Sequence, residues 1–383
     1  MWELTLKCDL ACRHCGSRAG VARDGELSRD EALAIVPQLA ALGAREVTFI
    51  GGEAYLHPAW VDIVSATANA GIRATMTTGA RAMDATMART CKEAGLTAVS
   101  VSVDGLEAAH DRLRAVRGSW QACMAALEHL GAAGVVPYAN TQINHDNLDD
   151  LEGLAPMLAA RGVRAWQVQL TGPMGRGADQ PERLLQPYEM LDLVPRLRAL
   201  AEQLAPQGLH VHAANNLGYF GPHEHVLRLH PWQGCAAGRY TLGIEANGDV
   251  KGCPSLPSAP YVGGNLRHRS LQDLWDNARE LAFARDRGTE ELWGDCARCY
   301  YAPVCKGGCS WTAHTLLGRR GNMPWCHHRA EMLRDEGIRE RLVQVEAAPG
   351  KPFDFGRFEL VEEPWPEGPQ NESGSLGRSK KKR

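Results

Sequence analysis

No stretch of the chain stays apolar for the length of a membrane span, and residues 1 to 7, ahead of the first motif, are too short for a signal peptide. Both absences predict a cytoplasmic protein that engages no membrane. An excess of one charge is also missing: 42 Lys and Arg against 45 Asp and Glu leave a formal net charge of -3, with no global pull toward nucleic acid or anionic lipid. Outside the last few residues there is no basic stripe with interleaved aromatics, which argues against a nucleic-acid partner. Cysteine, by contrast, is plentiful. Twelve in a reducing compartment point to metal or cluster binding rather than to disulfides. A chain of 383 residues with 44% hydrophobic content can bury a full core and has room for more than one domain.

Cys8, Cys12 and Cys15 stand in a C-x3-C-x2-C run. Thiolates are soft anionic ligands suited to iron, and three in one short loop can hold three corners of a cubic 4Fe-4S cluster, leaving the fourth iron free for chemistry. Zinc sites usually draw ligands in C-x2-C or Cys/His pairs, so zinc, like a partly formed disulfide set, is the poorer reading. A second group begins with Cys235, continues through Gly248 to Cys253, resumes with Cys296, Cys299, Cys305 and Cys309 in C-x2-C-x5-C-x3-C spacing, and ends with Cys326. Taken alone, its C-x2-C with two later cysteines also reads as a zinc ribbon. Cys91 and Cys123 fall within predicted helices and read as small buried apolar residues.

From residue 1 to about 170, β-branched runs, glycines and amphipathic runs alternate, the mark of strands and helices in a parallel sheet. Six strands are predicted: Glu3 to Lys7, Glu46 to Ile50, Arg73 to Thr78, Ala98 to Val103, Val135 to Ile143 and Arg164 to Leu170. Ser28 and Glu31 form a capping box, Leu33, Ile35, Val36 and Leu39 supply the apolar positions of the helix that follows, and Gly43 can stop it. Chemistry-bearing residues gather at strand C-terminal ends, the ligand side of such folds. Gly51-Gly52-Glu53 follows the second strand, Thr78 ends the third, Ser102 and Asp104 close the fourth, and Asn144 and Gln169 lie at the fifth and sixth. Each has a plainer reading: a tight turn for the two glycines, a half-buried strand closed by an Asp-Gly turn for Ser102 and Asp104, and a surface helix residue for Arg114.

Together these motifs resemble those of the radical S-adenosylmethionine (SAM) superfamily, and the seven later cysteines resemble its SPASM extension. The resemblance implies an α/β fold, with a partial (β/α)6 TIM-type barrel over residues 1-215 and a smaller cysteine-rich bridge and SPASM domain over 216-346. Residues 347-383, rich in proline and glycine and ending in Lys380-Lys381-Lys382-Arg383, read as a disordered tail. By the same resemblance, Cys8, Cys12 and Cys15 hold the catalytic cluster, His14 lies against the adenine, and Gly51, Gly52 and Glu53 hold the SAM amino group. Ser102 and Asp104 belong to the ribose side, Arg114 pairs the SAM carboxylate, and Thr78, Asn144 and Gln169 are cofactor or substrate contacts. SAM then chelates the free iron, and an electron from the reduced cluster cleaves it to methionine and a 5'-deoxyadenosyl radical.

The extension implies two auxiliary iron-sulfur clusters. In the family's interleaved pattern Cys296, Cys299, Cys305 and Cys326 complete the outer one, and Cys235, Cys253 and Cys309 serve the inner one. Two all-cysteine 4Fe-4S clusters need eight thiolates where this region offers seven. The stretch His223 to His230 holds no cysteine, so the inner cluster has an open iron, a histidine ligand or fewer irons.

Enzymes with this extension include maturases of ribosomally made peptides, enzymes that oxidise a sulfatase residue, and tetrapyrrole-modifying enzymes. The expected activity is hydrogen abstraction from an unactivated carbon of a peptide or small-protein substrate, followed by loss of an electron to an auxiliary cluster. The other two substrate classes are the alternatives. An electron donor such as flavodoxin or ferredoxin is implied, and, because no winged-helix recognition domain precedes Cys8, recognition is expected from a separate peptide-recognition protein, from the second half of the chain, or from a substrate that needs no leader. A non-catalytic metal-binding interaction module would leave the strand-end GGE and the barrel-like repeat without a role.

Overall fold

The computed structural model describes residues 1–228, 230 and 232–366. Strands β1 (Trp2–Glu3), β2 (Glu46–Ile50), β3 (Arg73–Thr78), β4 (Leu96–Ser102), β5 (Val136–Ile143), β6 (Ala165–Leu170) and β7 (His210–Ala213) lie side by side in chain order. Every neighbouring pair among them is parallel. Helices Arg29–Ala41, Trp60–Asn69, Ala85–Glu93, Ser119–Ala132, Leu151–Ala160 and Met190–Leu204 return the chain between strands. The result is a partial TIM-type barrel, one strand longer than the six predicted. Parallel strands buried on both faces need continuous apolar runs. Here Phe49, Ala74, Met76, Val99, Val101 and Val168 are fully buried.

The local signals explain the elements. At the first helix the Ser28 hydroxyl accepts the Glu31 N–H at 3.3 Å while the Ser28 N–H donates to Glu31 Oε2 at 2.8 Å. Such a cap stabilises a helix by about 1 kcal/mol. Ala32, Ile35, Val36 and Leu39 form its buried face. β1 is shorter than predicted because the chain from Thr5 to Lys7 follows the GGE turn instead of the ladder: Gly52 N–H donates to Thr5 O at 2.8 Å and Glu53 N–H to Lys7 O at 2.9 Å. A Cβ at Gly51 or Gly52 would collide with the carbonyls of Thr5, Leu6 and Lys7, so only glycine lets the two segments approach.

β8 (Gly243–Ile244), β9 (Asp249–Lys251) and β10 (Val262–Asn265) extend the same sheet past β1. β8 is parallel to β1 and antiparallel to β9, and β9 is antiparallel to β10. Short helices follow, among them Asp295–Arg298, Ala302–Cys305, Ser310–Leu317 and His327–Asp335. No helix among the described residues is long and apolar enough to cross a membrane.

The tail departs from expectation. β11 (Ile338–Glu346) and β12 (Arg357–Pro364) form an antiparallel hairpin, so residues 347–366 are not a disordered extension. The strand signal at 357–364 is an alternation that the neighbouring prolines and glycines obscure: Phe358 is buried, Leu342 lies opposite Leu360, and Arg339 and Arg341 pair with Glu363. The Lys380–Arg383 run and the rest of 367–383 lie outside the described residues.

Candidate active site and auxiliary cysteine sites

The cluster loop leaves β1 and is clamped from three sides. Arg13 N–H donates to Leu113 O at 2.8 Å, tying the loop to helix Glu107–Arg114. Arg176 donates through Nε to Cys12 O at 2.6 Å and through Nη2 to Ala19 O at 3.1 Å. Arg18 bridges Asp354 at 2.6 Å and Asp179 at 2.6 Å. The thiols receive polar contacts suited to anionic sulfur: Leu10 N–H to Cys8 Sγ at 3.4 Å, Ala19 N–H to Cys15 Sγ at 3.4 Å, and Arg114 Nη1 to Cys12 Sγ at 3.6 Å. Burial pushes the Cys8 thiol up to about 12, so a metal must displace its proton on loading.

Behind the loop, Asp104 is the electrostatic hub. One oxygen lies 2.8 Å from His14 Nε2 and 2.6 Å from Arg114 Nη2, and the other accepts the Gln142 N–H at 2.9 Å. Burial alone would raise this carboxyl, but Arg114 and His14 hold it well below the usual carboxylate range. His110 Nδ1 accepts the Asp104 N–H at 3.0 Å and fixes the backbone beneath it.

Glu53 is only 1% exposed. Its Oε2 accepts the Gly79 N–H at 2.8 Å, and its Oε1 has no partner. Burial pushes its carboxyl up to about 8 against the pull of that hydrogen bond and of Thr78. An orphaned, buried acceptor beside the cysteine loop fits an incoming amino group, so these residues suit bound SAM.

The remaining expected contacts are divided. His14, Gly51 and Gln169 line a cleft of about 1000 Å³, mouth included, between the barrel and the auxiliary region. Glu53 and Thr78 stand behind it, and the Thr78 hydroxyl accepts the Ala80 N–H at 2.8 Å. Ser102 is buried on β4 with its carbonyl toward the Cys123 thiol. Asn144 is spent on bracing a turn: its amide donates to Thr171 at 3.0 Å and accepts from Asp146 N–H at 2.9 Å.

The opposite wall of the cleft brings residues that the motif spacing did not announce: Glu3, Glu245, Ser255, Trp311 and Phe353. Glu245 is paired with Arg23 at 2.8 Å and Lys251 at 2.6 Å, and Glu3 with Arg23 at 2.9 Å. The Phe353 ring covers both cations, at 4.6 Å from Arg23 and 4.4 Å from Lys251, from a left-handed backbone with φ 58°. Trp311, two residues past Cys309, and Gly175-Arg176-Gly177 were the sequence signals available for this wall and for the loop clamp.

The auxiliary cysteines gather in two sets. Cys296, Cys299, Cys305 and Cys326 surround a cavity of about 490 Å³ together with Tyr219, Tyr301 and Met323. Cys235, Cys253 and Cys309 act on one another electrostatically, and burial followed by that mutual repulsion pushes Cys309 up to about 12. Among the described residues no three His, Cys, Asp or Glu side chains converge closely enough for a single metal ion. A cubic cluster spans more space than one ion. His223, from the stretch preceding Cys235, packs against His327 with ring centroids 5.0 Å apart.

Residues 2–155 match the Radical SAM superfamily, and residues 235–300 match SPASM, an iron-sulfur cluster-binding domain. The chain is therefore a radical SAM enzyme with a C-terminal SPASM domain, and the two domains carry 4Fe-4S and SAM chemistry with them. It is similar to the AdoMet-dependent heme synthase of Methanosarcina barkeri, 28% identical over 86% of this chain and 95% of that protein. It is similar as well to mycofactocin maturase MftC of Mycobacterium ulcerans, 28% identical over 80% of this chain and 81% of that protein. Among solved structures, Streptococcus suis SuiB bound to precursor peptide SuiA shares the fold with TM-score 0.63 and 17% identity, over 81% of this chain and 71% of that one.

Proposed function

We propose that the enzyme oxidatively modifies a peptide or small-protein substrate held in the cleft between the barrel and the auxiliary domain. Loaded with its cluster and SAM, the barrel supplies a 5'-deoxyadenosyl radical. The chain's own residues do the rest. Glu53 and Arg114 hold the two ends of the amino acid moiety of SAM, Asp104 orients Arg114 and His14, and the cleft walls exclude water from the reacting carbon. Cys235, Cys253 and Cys309 form the inner auxiliary site, and Cys296, Cys299, Cys305 and Cys326 the outer one. The twelve cysteines suit a reducing, cytoplasmic compartment, and the electron source is a low-potential donor such as flavodoxin or ferredoxin.

The observation that carries the substrate class is the cleft lining. Among the described residues it contains no Lys or Arg; its acids Glu3 and Glu245 are neutralised from behind, and Gln142, Gln169, Ser17 and Ser255 offer hydrogen bonds to neutral amides. A tetracarboxylate porphyrin would meet carboxylates there and no Lys or Arg side chain among the described lining residues. The second reading, modification of a tetrapyrrole side chain, rests on the relatives named heme synthase and Fe-coproporphyrin III synthase. The discriminating experiment supplies the reconstituted enzyme with SAM, reductant and either iron-coproporphyrin III or synthetic peptides encoded beside its gene. A peptide product lighter by two hydrogens, with matching deoxyadenosine, is expected. Conversion of the porphyrin with inert peptides would replace the first reading by the second.

A further inference from the structure

Arg287 is 4% exposed, yet only one of its nitrogens is clearly satisfied: Nη1 donates to the Ser310 hydroxyl at 3.0 Å. Nε and Nη2 have no hydrogen-bond partner among the described residues. The carboxylate on offer, Glu291, is 3.7 Å from Nε, is 41% exposed, and is shared with Arg320 at 3.4 Å. A half-solvated, shared carboxylate at that distance compensates a buried guanidinium poorly. The Cys235 thiol and the Tyr261 phenol, both uncharged while protonated, also act on Arg287, and the Arg320 cation opposes them. Ser310, its anchor, follows Cys309 directly and is itself fully buried. The buried cation is thus anchored on the residue that follows Cys309, where the described residues provide no full counter-charge.

We propose that Arg287 is the counter-cation of the inner auxiliary cluster and holds its reduction potential up. The inference rests on Cys235, Cys253 and Cys309 being cluster ligands. A 4Fe-4S core with three thiolates carries one net negative charge when oxidised and two when reduced. A fixed cation in a low-dielectric setting stabilises the second charge more than the first, which favours the reduced form. One electron enters from the reductant and no proton is required. Arg287 is accordingly a positioning and tuning residue, not a ligand. A purely structural arginine would serve as well once replaced by an unbranched apolar chain of similar length, whereas a counter-cation would not.

The test uses the full chain carrying Cys8, Cys12 and Cys15→Ala, which silences the barrel cluster, reconstituted anaerobically and titrated with dithionite under electron paramagnetic resonance. R287M should make the inner cluster harder to reduce by about tenfold in its equilibrium constant, about 59 mV for a one-electron couple. R287K should restore most of the shift, and the outer cluster should titrate unchanged in both. Loss of the inner iron in R287M with retention in R287K also supports the proposal. An unchanged midpoint in R287M, or equal loss of iron in both variants, overturns it. Failure of the ligand reading is seen separately: C253A would then keep all the iron of its parent.

Discussion

The barrel loop draws its three thiols from eight consecutive residues and its surroundings from the ends of distant strands. The inner auxiliary set does the reverse, taking Cys235, Cys253 and Cys309 from three separated segments and placing them among near neighbours such as Trp311 and Tyr261. Charge follows the same division. Around the barrel loop the buried cations Arg114 and Arg18 have anions, Asp104 for the first and Asp179 and Asp354 for the second, while Arg176 is held by backbone carbonyls. Beside the inner set Arg287 lacks one of its own. A site whose charges already balance can bind a zwitterion such as SAM by exchanging partners, whereas a site with surplus positive charge is prepared for a permanent anion.

The largest effect that sharpens this contrast comes from replacing Cys8, Cys12 and Cys15 with alanine. Deoxyadenosine formation should fall by more than about a thousandfold, while auxiliary iron is retained. Survival of SAM cleavage would mean that the radical arises elsewhere. Next in size is Cys309→Ala, which should leave SAM cleavage intact but stop modified product from accumulating, as judged by chromatography of both. Equal loss of both activities would break the division of labour between the sites.

Asp104→Asn is expected to weaken SAM binding by about tenfold to a hundredfold, since stranding the buried Arg114 cation is worth several kcal/mol. Equilibrium binding of SAM to the reconstituted protein measures it. Unaltered affinity would show that Asp104 contributes nothing to the orientation of Arg114. Per pH unit the smallest effect concerns Glu53. Its carboxyl sits at about 8 in the fold against an ordinary 4.5, so between those values the folded state holds the proton more tightly than the unfolded chain. Stability is then withdrawn as pH rises through that window, by up to about 1.4 kcal/mol per pH unit. Thermal unfolding of SAM-free protein at several pH values should show the slope, and Glu53→Gln should flatten it.

How far the sequence foretold this follows from the range of each interaction. The C-x3-C-x2-C loop and the capping box at Ser28 are written in neighbouring residues and are legible. Gly51-Gly52 was legible as a motif, but its steric reason, the carbonyls of Thr5 to Lys7, appears only once β1 and β2 lie side by side. Asp104 was expected on the ribose side; in the fold its carboxylate is spent on His14, Arg114 and the Gln142 backbone, partners up to 90 residues away. Residues 347–366 read as a tail because prolines and glycines interrupt them, while the pairing partner of β12 is the strand that precedes them, Ile338–Glu346.

The short strand β1 joins two halves of one sheet, with β2 on one side and β8 on the other. The cluster loop emerges just after it, and Cys235 and Cys253 flank the β8–β9 ribbon that it holds. Electron tunnelling decays steeply with distance, and here the two cysteine sites are joined by a hydrogen-bonded ladder instead of a hinge. On the proposed assignment of the inner cysteines as a cluster site, an electron passing to it from the barrel would cross a length fixed by this backbone, at a rate independent of domain closure.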